Sequence, residues 1–281
     1  MAKLADLGFG TYRLHGEEAY TGTLHALKSG YDLIDSAPLY GNQSFVGKAI
    51  KDSGRSRGSF RVTTKVSRDT LINPDPNAMT ESFFNTLKEL NLDYVDELIL
   101  HEPIDFMRNW KRLCDLYQNE GKGKIGRIGV SNFDKETLRQ IIQDGSMIPS
   151  VNQIEINPFL TRGDLPSFCR DHGIDVVAHS PLAKGEKMSD EFLNRIATKY
   201  NVSCAQMMLR WGIEHGFRVI PRSKDKVHIE ENMGIRFEID PEDLQRMRDL
   251  DCGYATHPKY LKKGEYVVAK KPKQKQPKAN S

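Results

Sequence analysis

The chain repeats one pattern eight times: a run of four to six mostly apolar residues, then a longer stretch with apolar positions three and four apart. The runs fall at 7–12, 31–34, 60–64, 95–100, 125–130, 151–156, 174–178 and 217–220. They are rich in Val, Ile and Leu and mostly do not alternate with polar residues, as in strands covered on both faces. The stretches at 17–28, 43–51, 77–90, 110–119, 135–143, 164–172, 191–200 with 205–214, and 226–233 carry the helical period. Asp134 and Ser189 are candidate caps ahead of such stretches, and Gly30, Gly145, Gly173 and Gly216 behind them. A further helix is expected over 241–250, with Pro241 in its first turn. Eight strand–helix units in about 250 residues predict a single-domain α/β fold, the (β/α)8 or TIM barrel, over residues 1–261. The rival is an open doubly wound sheet. Even spacing disfavours it, and so does the first run, where Gly8 and Gly10 lie inside the strand instead of in a following GxGxxG turn.

Charge and cysteine content narrow the function classes. The formal net charge is +3, but residues 262–281 alone carry +6, leaving −3 on the body. A mildly acidic body is not a nucleic-acid-binding domain, so no nucleic acid partner is expected. The lysine-rich end reads as a basic, disordered, low-complexity tail, with 261–268 as candidate cover for the barrel mouth. No apolar run approaches the ~20 residues of a membrane span. The opening MAKLADLGFG has no basic segment followed by an apolar one, so no secretory leader is expected. The four cysteines, Cys114, Cys169, Cys204 and Cys252, stand far apart without a CxxC pair. That disfavours a disulfide scaffold or zinc site and fits a reducing, cytoplasmic setting, with Cys252 a buried structural thiol. A monomer is the default.

Barrel enzymes place their active site at the C-terminal ends of the strands. Here those ends carry Asp35 (with Tyr40 in the following loop), Lys65, His101, Ser131, Asn132, Gln153, Glu155, His179, Ser180 and Arg222. Packing alone does not explain titratable side chains at so many successive ends. Together they suit proton delivery to a carbonyl. A tyrosine is a weak acid at its ordinary pKa of ~10, and a neighbouring ammonium lowers that value. Lys65 is placed to do so for Tyr40, with Asp35 pairing Lys65, while a neutral His101 donates a hydrogen bond to the substrate oxygen. Ser131, Asn132 and Gln153 suit the carboxamide of a nicotinamide hydride donor, and Arg222 with Ser223 suits a phosphate. No metal-ligand spacing is present.

The segments LGFGTYRL, GYDLIDSAPLYGNQSFVG, VTTKV, LILHEP, GRIGVSNF, VNQIEINPFL, VVAHSPLAKG and VIPRSKDKVHIEEN, in this order, resemble the aldo-keto reductases over residues 7–260. The resemblance implies an NADP-dependent reductase of aldehydes or ketones. Tyr40 would be its general acid, Lys65 and Asp35 the tuning pair, and His101 the group that orients the carbonyl. It further implies that Ser131, Asn132 and Gln153 contact the carboxamide, and that Ser180, Leu182, Arg222, Ser223, Glu231 and Asn232 surround the pyrophosphate, 2′-phosphate and adenine. NADPH is the expected cofactor, with NADH weaker. His179 replaces the family's stacking tyrosine, His228 an arginine near the 2′-phosphate, and Arg222 a lysine. Glu102 places negative charge beside His101. Short loops after the fourth and seventh strands suggest an open pocket for small aldehydes, including dicarbonyls. The changes at His179 and His228 keep a second reading open, a cofactor-binding regulatory or redox-sensing barrel with little turnover.

Overall fold

All eight apolar runs become strands in the computed structural model, which describes residues 6–145, 147–261 and the backbone of 267–268. These are β1 (Phe9–Gly10), β2 (Leu33–Asp35), β3 (Arg61–Val66), β4 (Val95–Leu100), β5 (Ile125–Ser131), β6 (Val151–Glu155), β7 (Asp175–His179) and β8 (Arg218–Val219). They pair in parallel in sequence order. Gly8 N donates to Val219 O at 2.8 Å and Gly10 N to Pro221 O at 2.9 Å, so the first and last strands join and the sheet closes into a barrel. Closure explains the glycine at position 10, where a Cβ would lie 3.0 Å from Ile220 O.

The helices packed outside are α1 (Glu17–Lys28), α2 (Gln43–Asp52), α3 (Arg68–Ile72), α4 (Ala78–Leu90), α5 (Phe106–Gln118), α6 (Lys135–Gln143), α7 (Leu165–Asp171), α8 (Glu191–Lys199), α9 (Cys204–Glu214), α10 (Lys226–Glu231) and α11 (Pro241–Arg246). Asp134 caps α6 by accepting from Thr137 N at 2.8 Å. At α8 the cap is Asp190, accepting from Leu193 N at 3.0 Å, one residue beyond the expected Ser189. Gly30, Gly145, Gly173 and Gly216 all take the positive φ that ends a helix. α5 starts four residues earlier than its periodicity suggests, because Asn109 and Trp110 are already buried on its first turns.

Side chains alternate across each strand, which sorts the lumen into three layers. Glu97 lies at the floor, where Arg127 Nη2 and Arg218 Nη1 each donate to its Oε1 at 2.5 Å and Thr63 Oγ1 donates to Oε2 at 2.8 Å. The contact from β4 to β8 runs across the barrel. Those bonds hold the Glu97 carboxyl at about 2 against the opposing effect of burial. Above it, Leu33, Ile99, Val151, Val177 and Ile220 form an apolar layer. The rim is polar again and carries the candidate site.

One expectation needs correction. Cys114 and Cys169 are buried, but Cys252 is exposed, just after the 3₁₀ turn Met247–Leu250. In the expected tail, Val267–Val268 (β10) pairs in parallel with Tyr254–Ala255 (β9), and the remainder lies outside the described residues. No described helix is long and apolar enough to cross a membrane.

Candidate active site

Lys65, on β3, is 1% exposed, and its Nζ donates to Asp35 Oδ1 at 2.6 Å and to the Ser36 carbonyl at 3.0 Å. Gln153 Nε2 reaches across from β6 to donate to Asp35 Oδ2 at 2.7 Å. Tyr40 ends a single 3₁₀ turn, Pro38–Tyr40, which stops at Gly41 with φ 63°. Buried Asn42 ties that turn to the loop after β1, its Nδ2 donating to Thr11 O and Leu14 O at 2.8 Å each. The Tyr40 ring stands edge-on to His101 with centroids 5.9 Å apart, and Lys65 Nζ lies 5.2 Å from its centroid.

Burial, and secondarily the Asp35 charge, push the Tyr40 phenol well above the usual tyrosine value. This reverses the expected lowering by Lys65. The ammonium is answered at contact distance by Asp35, so little net field reaches the phenol and desolvation prevails. His101 is held well below the usual histidine value by burial and the Lys65 charge, and its buried Nδ1 has no hydrogen-bond partner among the described residues. A protonated phenol therefore sits beside a neutral imidazole.

Next along the rim, Asn132 takes a left-handed φ of 64°. Its Nδ2 donates to His101 O at 3.2 Å and to Ser131 Oγ at 3.0 Å, while Ser131 Oγ donates to Gln153 O at 2.9 Å. His179 Nε2 lies 2.9 Å from Asn132 Oδ1. A carbonyl only accepts, so the amide nitrogen must face His101 and the amide oxygen His179, which makes Nε2 the protonated nitrogen. Burial lowers His179 to about 3, so the ring is neutral.

A cavity of about 960 Å³ runs from this cluster along the rim. Of the sequence-predicted residues, Tyr40, Asp35, His101, Ser131, Asn132, Gln153, His179, Ser180, Leu182, Arg222, Ser223, His228, Glu231 and Asn232 all line it; Lys65 does not. Its far end, past β8, gathers Arg222, Lys224 and His228 with Asp225, whose carboxylate caps α10 by accepting from Val227 N at 2.8 Å. Among the described residues, no group of three or more His, Cys, Asp or Glu is placed to hold a metal. The sequence profile of the Aldo/keto reductase family matches residues 6–251.

The chain belongs to the aldo/keto reductase family. It is 38% identical over 250 residues to the glyoxal reductase of Bacillus subtilis strain 168, covering 87% of this chain and 88% of that one. It is 33% identical over 257 residues to the methylglyoxal reductase of Escherichia coli O157:H7, covering 89% and 90%. Among solved structures, the Bombyx mori aldo-keto reductase in complex with NADP superposes with a TM-score of 0.80 at 28% identity, over 88% of this chain and 89% of that one.

This aldo/keto reductase also lines its cavity with residues that sequence reasoning missed: Tyr12 and Arg13 after β1, Lys184, and His257, Lys259 and Tyr260. The last three belong to a strap, residues 254–260, that crosses the mouth. Glu155, 2% exposed, accepts from Thr256 N at 2.7 Å, Thr256 Oγ1 at 2.5 Å and His257 N at 2.8 Å. Although burial opposes ionisation, the bonds from His257 and Thr256 hold Glu155 at about 2. Lys184 Nζ donates to Thr256 O at 2.7 Å. Glu102 clasps the far end, accepting from Lys259 Nζ at 3.2 Å and Tyr260 OH at 3.1 Å, with Arg68 Nη1 at 2.9 Å. The free negative charge expected at Glu102 is thus taken up by two cations and a phenol. The loop after β7 spans 180–190 and holds a 3₁₀ turn at Ala183–Gly185.

Proposed function

We propose that this aldo/keto reductase reduces small aldehydes or ketones to alcohols with NADPH, Tyr40 acting as the general acid. The observation that carries the reading is the protonated Tyr40 phenol edge-on to a neutral His101, in a cavity of about 960 Å³ that runs on to Arg222 and Lys224. The residues fit such a cofactor. Gln153 Nε2 is held by Asp35, which leaves Oε1 as an acceptor for a carboxamide, and Arg222 and Lys224 line the far end, where a phosphate would sit. A reduced nicotinamide bound there supplies the hydride.

The chain's own groups supply the rest. His101, neutral because it is buried beside Lys65, donates a hydrogen bond that orients the carbonyl. Tyr40 gives up its proton as negative charge grows on that oxygen, and the Lys65 ammonium, 5.2 Å from the ring centroid, is the cation beside the resulting phenolate. In the resting site desolvation keeps the proton on the phenol. Asp225 and Glu231 stand among the cations at the far end, so NADPH is preferred over NADH by a modest margin. Relatives named for glyoxal and methylglyoxal support small 2-oxoaldehydes as substrates.

The test follows NADPH oxidation with methylglyoxal and an aromatic aldehyde, beside Tyr40→Phe. Turnover by the wild type that falls at least about a hundredfold in the variant, with unchanged cofactor affinity, is the expected result. Cofactor binding without turnover in the wild type would instead indicate the regulatory barrel.

A further inference from the structure

His179 departs from the family pattern at a position where an aromatic ring alone would be expected to serve, and the structure gives it a hydrogen bond to make. We propose that His179 is a positioning residue: its Nε2–H fixes the Asn132 amide so that Oδ1 presents one remaining lone pair to the N–H of a nicotinamide carboxamide. This rests on the reading of the cavity as a nicotinamide site.

The inference comes from counting donors and acceptors. Asn132 Nδ2 uses its hydrogens on the His101 carbonyl and Ser131 Oγ. Its Oδ1 has two lone pairs, of which His179 Nε2–H takes one at 2.9 Å. Gln153 Nε2 is likewise committed to Asp35, leaving Oε1 as an acceptor. What this wall offers is two acceptors, the complement of the two hydrogens of a carboxamide –NH2. The imidazole is steadied from its other side. Ser180 Oγ lies 3.4 Å from His179 Nδ1 and 3.4 Å from His257 Nδ1, and the His257 ring stands edge-on at 5.5 Å between centroids. A phenyl or phenol ring at 179 supplies a flat face but no N–H at that edge. Asn132 would then lose the one donor that holds its oxygen.

Two substitutions separate the ring from the bond. His179→Phe keeps a flat ring and removes the donor; His179→Gln keeps an N–H donor and removes the ring. The readout is the dissociation constant, by quenching of protein fluorescence, of NADP+ and of its 3-acetylpyridine analogue, whose acetyl group has no N–H. We expect the wild type to favour NADP+ about a hundredfold, as for two good hydrogen bonds, one to Asn132 Oδ1 and one to Gln153 Oε1. The Phe variant should favour it only about tenfold, the bond to Gln153 remaining, and the Gln variant should keep the wild-type ratio while binding both more weakly. In an Asn132→Ala background, His179→Phe should leave the ratio unchanged. A Phe variant that discriminates as the wild type does overturns the inference and leaves the nicotinamide site standing. Failure of the wild type to bind either dinucleotide overturns both.

Discussion

Replacing Glu155 with methionine keeps the side-chain bulk and deletes the carboxylate that Thr256 N, Thr256 Oγ1 and His257 N share. A hydrogen bond to a charged acceptor contributes about 1.5–3 kcal/mol. Loss of the two backbone bonds alone therefore weakens docking of the strap by about 3–6 kcal/mol, before the hydroxyl is counted. The backbone pairing of β6 with β7 does not use this carboxylate, so the strap loosens without the barrel unfolding. The assay is native-state hydrogen exchange. At tenfold per 1.4 kcal/mol, the Thr256 and His257 amides should exchange about 100- to 10,000-fold faster than in the wild type. Amides of β4 and β7 serve as controls and should not change. Unchanged protection at Thr256 and His257, in a variant whose barrel amides are native, would refute the claim that this carboxylate holds the strap.

At the barrel floor, Glu97→Leu leaves Arg218, 5% exposed, without its nearest anion and should cost about 3–5 kcal/mol in chemical denaturation. Adding Arg218→Met should recover part of that loss, and a single variant within about 1 kcal/mol of wild type would contradict it. Acid should destabilise the protein in two stages. His179, at about 3 against an ordinary 6.5, binds fewer protons folded than unfolded, so stability falls as pH drops below 6.5. Glu97 and Glu155, at about 2 against 4.5, contribute fully above 4.5, and their contribution is lost as pH falls through about 2. A Tm that stays flat from about pH 7 down to about pH 4 contradicts the first stage.

The barrel was legible because its strands are buried on both faces and its helices on one, which writes two different periods into the sequence. Asp35, Ser131 and His179 were legible because each ends a strand, and strand ends are fixed by those same periods. The strap was not. His257, Lys259 and Tyr260 follow no periodicity, and their partners Glu155 and Glu102 lie about 100 to 160 residues upstream. The sequence reading placed the mouth's cover at 261–268, just beyond the polar cluster at 256–260 that lines it. The Tyr40 proton was misjudged for a related reason. The charge on Lys65 can be read from the sequence, but its cancellation at 2.6 Å and the desolvation of the phenol are properties of packing.

The two clasps of the strap also differ in rank. Lys259 is an exposed cation, and such a pair on its own contributes about 0–1 kcal/mol. Once Thr256 and His257 are docked, however, Lys259 is tethered two residues from a fixed point. It meets Glu102 at an effective concentration on the order of millimolar or higher. A contact too weak to join separate molecules then forms readily within one chain. The coupling is reciprocal, but the two contacts differ in size. Release at Glu155 removes the tether and with it the Glu102 contact, whereas release at Glu102 frees only the last residues of the strap. The mouth can therefore widen to admit a bulkier carbonyl while the strap stays attached beside His179.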